Sequence, residues 1–173
     1  MNKEDFLGYI EDAYLNAEDI VAKKLLRDEE PLITSKFEFV AKSIINENKS
    51  NTHSALDKLM ADCILELLKR DLGYSNSVSI EHIKKITEKG KAIIEAKNHD
   101  YADSSDPFAN FRLVDNLEIC TVEIGILVRM SDKVARIKNL SNKDNAVKDE
   151  TIEDTLLDLC NYSAILQAWM VRG

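Results

Sequence analysis

Apolar residues recur along this chain at the spacing of one helical face. From about Glu4 to Leu26 they fall at Phe6, Ile10, Ala13, Ala17, Ile20 and Leu25, close to the period of about 3.6 residues of an amphipathic helix. Asn2 stands where an N-cap is expected. The run Asp28-Glu29-Glu30-Pro31 ends this segment. A second helix is predicted over about Ser35 to Asn46, with Phe37, Val40, Ala41 and Ile44. A third is predicted from about His53, with Leu56, Leu59, Met60, Cys63, Leu67 and Leu68. Gly73 follows at a C′ position, and Gly73-Tyr74-Ser75-Asn76-Ser77 reads as a linker. It divides an N-terminal lobe of unknown role (1–75) from a C-terminal part (76–173). A fourth helix starts at Ser79 as N-cap and carries Ile80, Ile83, Ile86, Ile93 and Ile94. Gly90 inside it costs about 1 kcal/mol relative to Ala and signals a kink or close packing. Asn98 to Pro107 reads as irregular. Helices five (about Leu113 to Asn139) and six (about Thr151 to Val171) complete an expected all-α bundle of about six helices.

Composition narrows the class. The 173 residues include only 5 Gly and 2 Pro, too few for the tight turns of a β-sandwich or barrel. With 45% hydrophobic and 31% charged residues the chain is globular rather than disordered. The net charge of -8 repels phosphate backbones, so general nucleic-acid binding is not expected. An acidic chain can still take a nucleotide through a bridging divalent cation. Cys63, Cys120 and Cys160 are widely spaced, form no CxxC, and sit in apolar helical patterns, so they read as small core residues of a reduced chain. Met1 to Leu7 lacks the apolar stretch of a signal peptide. No window approaches the ~18 apolar residues of a membrane span. The expected location is cytoplasmic.

Polar residues at core-facing positions suggest chemistry. In helix five, Ile119, Val122, Ile126, Leu127, Met130, Val134 and Ile137 form an apolar arc with Glu123 near its middle and Arg129 and Lys133 along its edge. A carboxylate there requires either a cation from a neighbouring helix or a metal. Helix six is nearly all apolar, yet Glu150, Asp154, Asp158 and Asn161 form one stripe at i, i+4, i+8 and i+11. Stacked carboxylates repel; Mg²⁺ would relieve that repulsion, and a solvated acidic face is the alternative. Carboxylates beside Arg129, Lys133 and Arg136 suit phosphate chemistry with a divalent ion. Asp132 lies among these bases and can pair with Arg129 or Arg136. No Walker A, GxGxxG or HExxH sequence is present. His53 and His82 carry no motif, and His99 is a candidate substrate contact. Trp169 and Met170 are candidate contacts in an expected homodimer or larger homo-oligomer.

Several segments together resemble a known family. They are Lys97-Asn98-His99-Asp100-Tyr101, Asn110-Phe111, the run from Gly125 to Lys133, and the run from Asp149 to Leu159 with Asn161-Tyr162. The stretch from about Lys97 to Trp169 resembles the nucleotide modification-associated domain family common in phage genomes. That family is similar to the all-α NTP pyrophosphatases, which include MazG and the dimeric dUTPases. The resemblance implies an oligomeric helical bundle that binds Mg²⁺ (or Mn²⁺) and a nucleoside triphosphate, and a reaction giving the monophosphate and pyrophosphate. It implies a metal set of Glu123, Glu150, Asp154 and Asp158, with Glu123, Asp132 and Asp158 as catalytic carboxylates. It further implies substrate contacts from Lys97, Asp100, Tyr101, Asn110, Arg129, Lys133 and Asn161. Two departures stand out. Ile126 occupies the position of the second acid on helix five, and the acids of helix six are four apart rather than three. The rival readings are a protein that binds a nucleotide without cleaving it and a protein that docks a host partner.

Overall fold

The computed structural model describes residues 1–72, 78–101, 106–140 and 151–172, with the backbone alone at residues 49, 50 and 101. The linker 73–77, and with it the C′ glycine and the expected 75/76 boundary, lies outside them. The fold is all-α. Seven helices are described: α1 (Lys3–Leu26), α2 (Ile33–Ile45), α3 (Lys49–Leu72), α4 (Ile80–Tyr101), α5 (Ala109–Asn116), α6 (Val122–Leu140) and α7 (Ile152–Val171).

The first helix begins where its cap predicts, with the Asn2 side chain accepting from Asp5 N at 2.8 Å. The expected fifth helix is two helices. After α5 the chain turns through Glu118 at φ 56°. The N–H groups of Leu117, Glu118 and Ile119 turn back to the carbonyls of Leu113, Asp115 and Val114. Ile119, expected on the apolar arc, is an exposed turn residue, and Cys120 is half-buried in the break rather than in a helix. No Gly or Pro marks this break, so periodicity runs through it. The segment after Asn98 is more regular than expected, since α4 continues to Tyr101. His99 is therefore an exposed helical residue.

α7 is the central helix: α1, α3, α4 and α6 all pack on it, and 14 of its 20 residues are buried. That explains its nearly continuous apolar sequence. One hydrophobic core joins residues from α1 to α7. Phe6, Phe108 and Trp169 stack edge to face with centroids 5.2 Å apart in each pair. Trp169 is thus a core residue, not an accessible contact. Among the described residues no helix is long and apolar enough to cross a membrane.

Candidate functional site

A cavity of about 220 Å³ opens where α1, α4, α5, α6 and α7 converge. Phe6, Ile94, Lys97, Asn98, Asn110, Phe111, Arg129, Asp158, Asn161, Tyr162 and Ile165 line it. The connection before α5 is pinned in two ways. Asn98 Nδ2 donates to Pro107 O at 2.9 Å, and Asp106 pairs with Arg112 at 2.8 Å. These contacts set the entry to α5 and so place Asn110 and Phe111 on the cavity wall. Phe111 and Tyr162 meet edge to face at 6.4 Å, and the Arg129 guanidinium lies 5.3 Å over the Phe111 ring.

Asp158 is the electrostatic centre. Lys97 Nζ meets its Oδ1 at 2.8 Å and Lys133 Nζ its Oδ2 at 2.9 Å. Burial pushes the Asp158 carboxyl up, but the two lysine hydrogen bonds and charges outweigh it and hold the group below the usual range. A depressed carboxyl stabilises the fold above its unfolded pKa of about 3.9, and that contribution is lost as pH falls through the folded value. Asp158→Asn is expected to flatten the acid limb of the stability curve below about pH 4, measured by urea unfolding across pH. An unchanged acid limb would show that the lysines do not favour the ionised form.

The other predicted site residues divide. The structure brings Lys97, Asn110, Arg129, Asp158 and Asn161 to one cavity, with Lys133 reaching it through Asp158. It does not bring Glu123 there. Glu123 starts α6 beside Trp169, Thr121 and Arg172. Burial raises its carboxyl, and its own backbone N–H, the indole, the hydroxyl and the arginine together lower it further. α6 and α7 run antiparallel. Ten residues separate Glu123 from Lys133 and eleven separate Trp169 from Asp158, so at about 1.5 Å per residue Glu123 lies roughly 15 Å from Asp158. Asp154 instead completes a capping box: its Oδ2 accepts from Thr151 N at 3.2 Å and Thr151 Oγ1 at 2.9 Å. The Thr151 N–H, then its hydroxyl, hold the Asp154 carboxyl low. The pattern Thr151-x-x-Asp154 carries that signal in the sequence. Asp132 and Asp100 are exposed and do not line the cavity. Glu150 and the Tyr101 side chain lie outside the described residues.

Among the described residues no three His, Cys, Asp or Glu side chains gather as metal ligands. Both Asp158 oxygens face lysines, Asp154 serves the cap, and Glu123 is remote. The described donor set does not fit a protein-held Mg²⁺ ion. Sequence reasoning left Phe6, Ile94, Asn98, Phe111, Tyr162 and Ile165 out of the site. Of these, Asn98, Phe111 and Tyr162 sit in the segments that carry the family resemblance; nothing in the sequence places Phe6 there.

The matching family is described as nucleotide modification associated domain 1. Its family model matches residues 97–167. That span holds every lining residue of the cavity except Phe6 and Ile94. No curated protein and no solved structure matches the chain.

Proposed function

We propose that this chain binds a nucleotide in the α4–α7 cavity, with the phosphates at its mouth and the base inside. One observation carries the reading: in a chain of net charge -8, Lys97 and Lys133 both meet the Asp158 carboxylate and Arg129, over the Phe111 ring, adds a third cation to the wall of an aromatic and amide-lined cavity. That local excess of positive charge suits a polyphosphate. Phe111 and Tyr162 supply aromatic surface for a base, and Asn98, Asn110 and Asn161 supply amides. At about 220 Å³ the cavity is smaller than the ~300–1,000 Å³ of a typical whole-ligand site, so it takes one ring system and leaves the phosphates outside. A larger depression of about 600 Å³ is lined by Glu4, Asp5 and Asp12, whose charges repel phosphate. The match of residues 97–167 to a nucleotide modification associated domain supports the same assignment.

Binding without cleavage is the better-supported form. Pyrophosphohydrolysis needs a carboxylate to activate water, and the one in the cavity is a weakened base held by two lysines. Titration calorimetry with nucleoside mono- and triphosphates, with and without Mg²⁺, tests the reading. Lys133→Ala is expected to weaken triphosphate binding about 10- to 100-fold, as befits a lost charge-assisted hydrogen bond. No binding at millimolar nucleotide would refute the proposal. Pyrophosphate appearing in the Mg²⁺ samples would replace it with the hydrolase reading.

A further inference from the structure

Helix α1 lies outside residues 97–167, yet one of its side chains lines the cavity and a second bonds to a lining residue. Phe6 lines it, and Tyr14, two turns on along the same face, stands behind its inner wall. Tyr14 is 1% exposed, and burial pushes its phenol well above the ordinary value, so it remains a proton donor at any working pH. Its hydroxyl donates to Asn161 Oδ1. The opposing α4 backbone leaves room for that hydroxyl only because residue 90 is glycine. A Cβ there would overlap Tyr14 Oη and stand 2.8 Å from its Cζ and 3.3 Å from Asn161 Oδ1.

Asn161 is 5% exposed, and its Nδ2 has no hydrogen-bond partner among the described residues. A buried amide donor without an acceptor is costly and rare, and it calls for a ligand or a water. Turned over, the amide would donate to Tyr14 Oη, and the phenol proton would exchange an oxygen acceptor for the Cys160 sulfur, a weak one. The tyrosine therefore favours the orientation in which the amide donor is the atom left unpaired.

We infer that Tyr14 is a positioning residue, which holds Asn161 so that Nδ2 donates to a hydrogen-bond acceptor of the bound base, a carbonyl oxygen or an unprotonated ring nitrogen. The inference rests on the nucleotide reading above and extends it. The N-terminal helix completes the site, and the inner end of the cavity selects bases that present an acceptor there. A base offering an amino group at that point meets donor with donor and is rejected.

Two probes separate the ends of the site: inorganic tripolyphosphate, which can use only the cations, and the common nucleoside triphosphates. Tyr14→Phe keeps the ring and removes the hydroxyl. It is expected to weaken the tightest-binding nucleotide about tenfold and to leave tripolyphosphate binding within twofold. Lys133→Ala should weaken both. In the unaltered protein the Asn161 side-chain amide resonances should shift on adding nucleotide and stay in place on adding tripolyphosphate. Should Tyr14→Phe melt too low to assay, Tyr14→Phe with Asn161→Leu replaces both partners by apolar groups and should show the same selective loss. Nucleotide binding unchanged by these variants, or parallel loss of both probes, would overturn the inference alone. Failure of the unaltered chain to bind any nucleotide would overturn the nucleotide reading and the inference with it.

Discussion

Asp62→Ala is expected to lower the unfolding free energy by about 3 kcal/mol, the lower end of the range for breaking a buried ion pair. Asp62 on α3 is fully buried. It meets Lys24 Nζ of α1 at 2.6 Å and accepts from Leu32 N, just before α2, at 3.0 Å. One carboxylate thus ties three segments together. Removing it strands the Lys24 ammonium, 9% exposed, and the Leu32 N–H. Glu29, 3.5 Å from Lys24, compensates in part, which is why the effect falls at the low end. Lys24→Met with Asp62→Leu removes both charges and is expected to be close to neutral, because a well-packed apolar pair avoids the desolvation of two ions. Urea unfolding of the two variants decides the matter. Equal losses in both would show that packing volume, not charge, matters at this position.

Gly90→Ala is expected to destabilise the fold by about 2 kcal/mol and to weaken nucleotide binding at least about tenfold. Two effects oppose each other. In a helix interior Ala is favoured over Gly by about 1 kcal/mol. Against this, the new methyl would occupy the space of the Tyr14 hydroxyl, in a buried ring that cannot move without disturbing the core. Overpacking of this kind costs about 1–3 kcal/mol, and the displaced hydroxyl forfeits its hydrogen bond to Asn161, worth about 1 kcal/mol more. The clash therefore wins. Combining Gly90→Ala with Tyr14→Phe should recover part of the stability, because the overlapping oxygen is gone, but should not recover nucleotide affinity. A single Gly90→Ala variant as stable as the parent would show that α1 and α4 can separate freely at this point.

Much of the site was legible in outline. Lys97, Asn110, Arg129, Asp158 and Asn161 stand out in the sequence as polar residues in apolar helices or as parts of a recognisable pattern, and they line one cavity, with Lys133 joined to it through Asp158. Asp154 and Asp158 read as equivalent members of one stripe, because both are acids one turn apart. Their separate roles depend on neighbours: Thr151 precedes the first, and two lysines from other helices meet the second. Glu123 has Thr121, Trp169 and Arg172 beside it, and its angular position on one helix says nothing of which end of α7 it faces. The break at Glu118 has no mark in the sequence because its positive φ is adopted without glycine.

What the sequence by itself determined was the helical class, the long helices and the inward faces, since these follow from local periodicity and caps within a few residues. It also marked Gly90 as a point of either a kink or close packing, and the structure shows close packing against Tyr14. What only the tertiary structure decided was the assembly of the site. The antiparallel pairing of α6 and α7 separates Glu123 from Asp158. The packing of α1 on α4 and α7 brings Tyr14 to Asn161, 147 positions away. Contacts of that kind depend on how helix faces dock, and a helical period fixes which residues face inward without fixing what they meet.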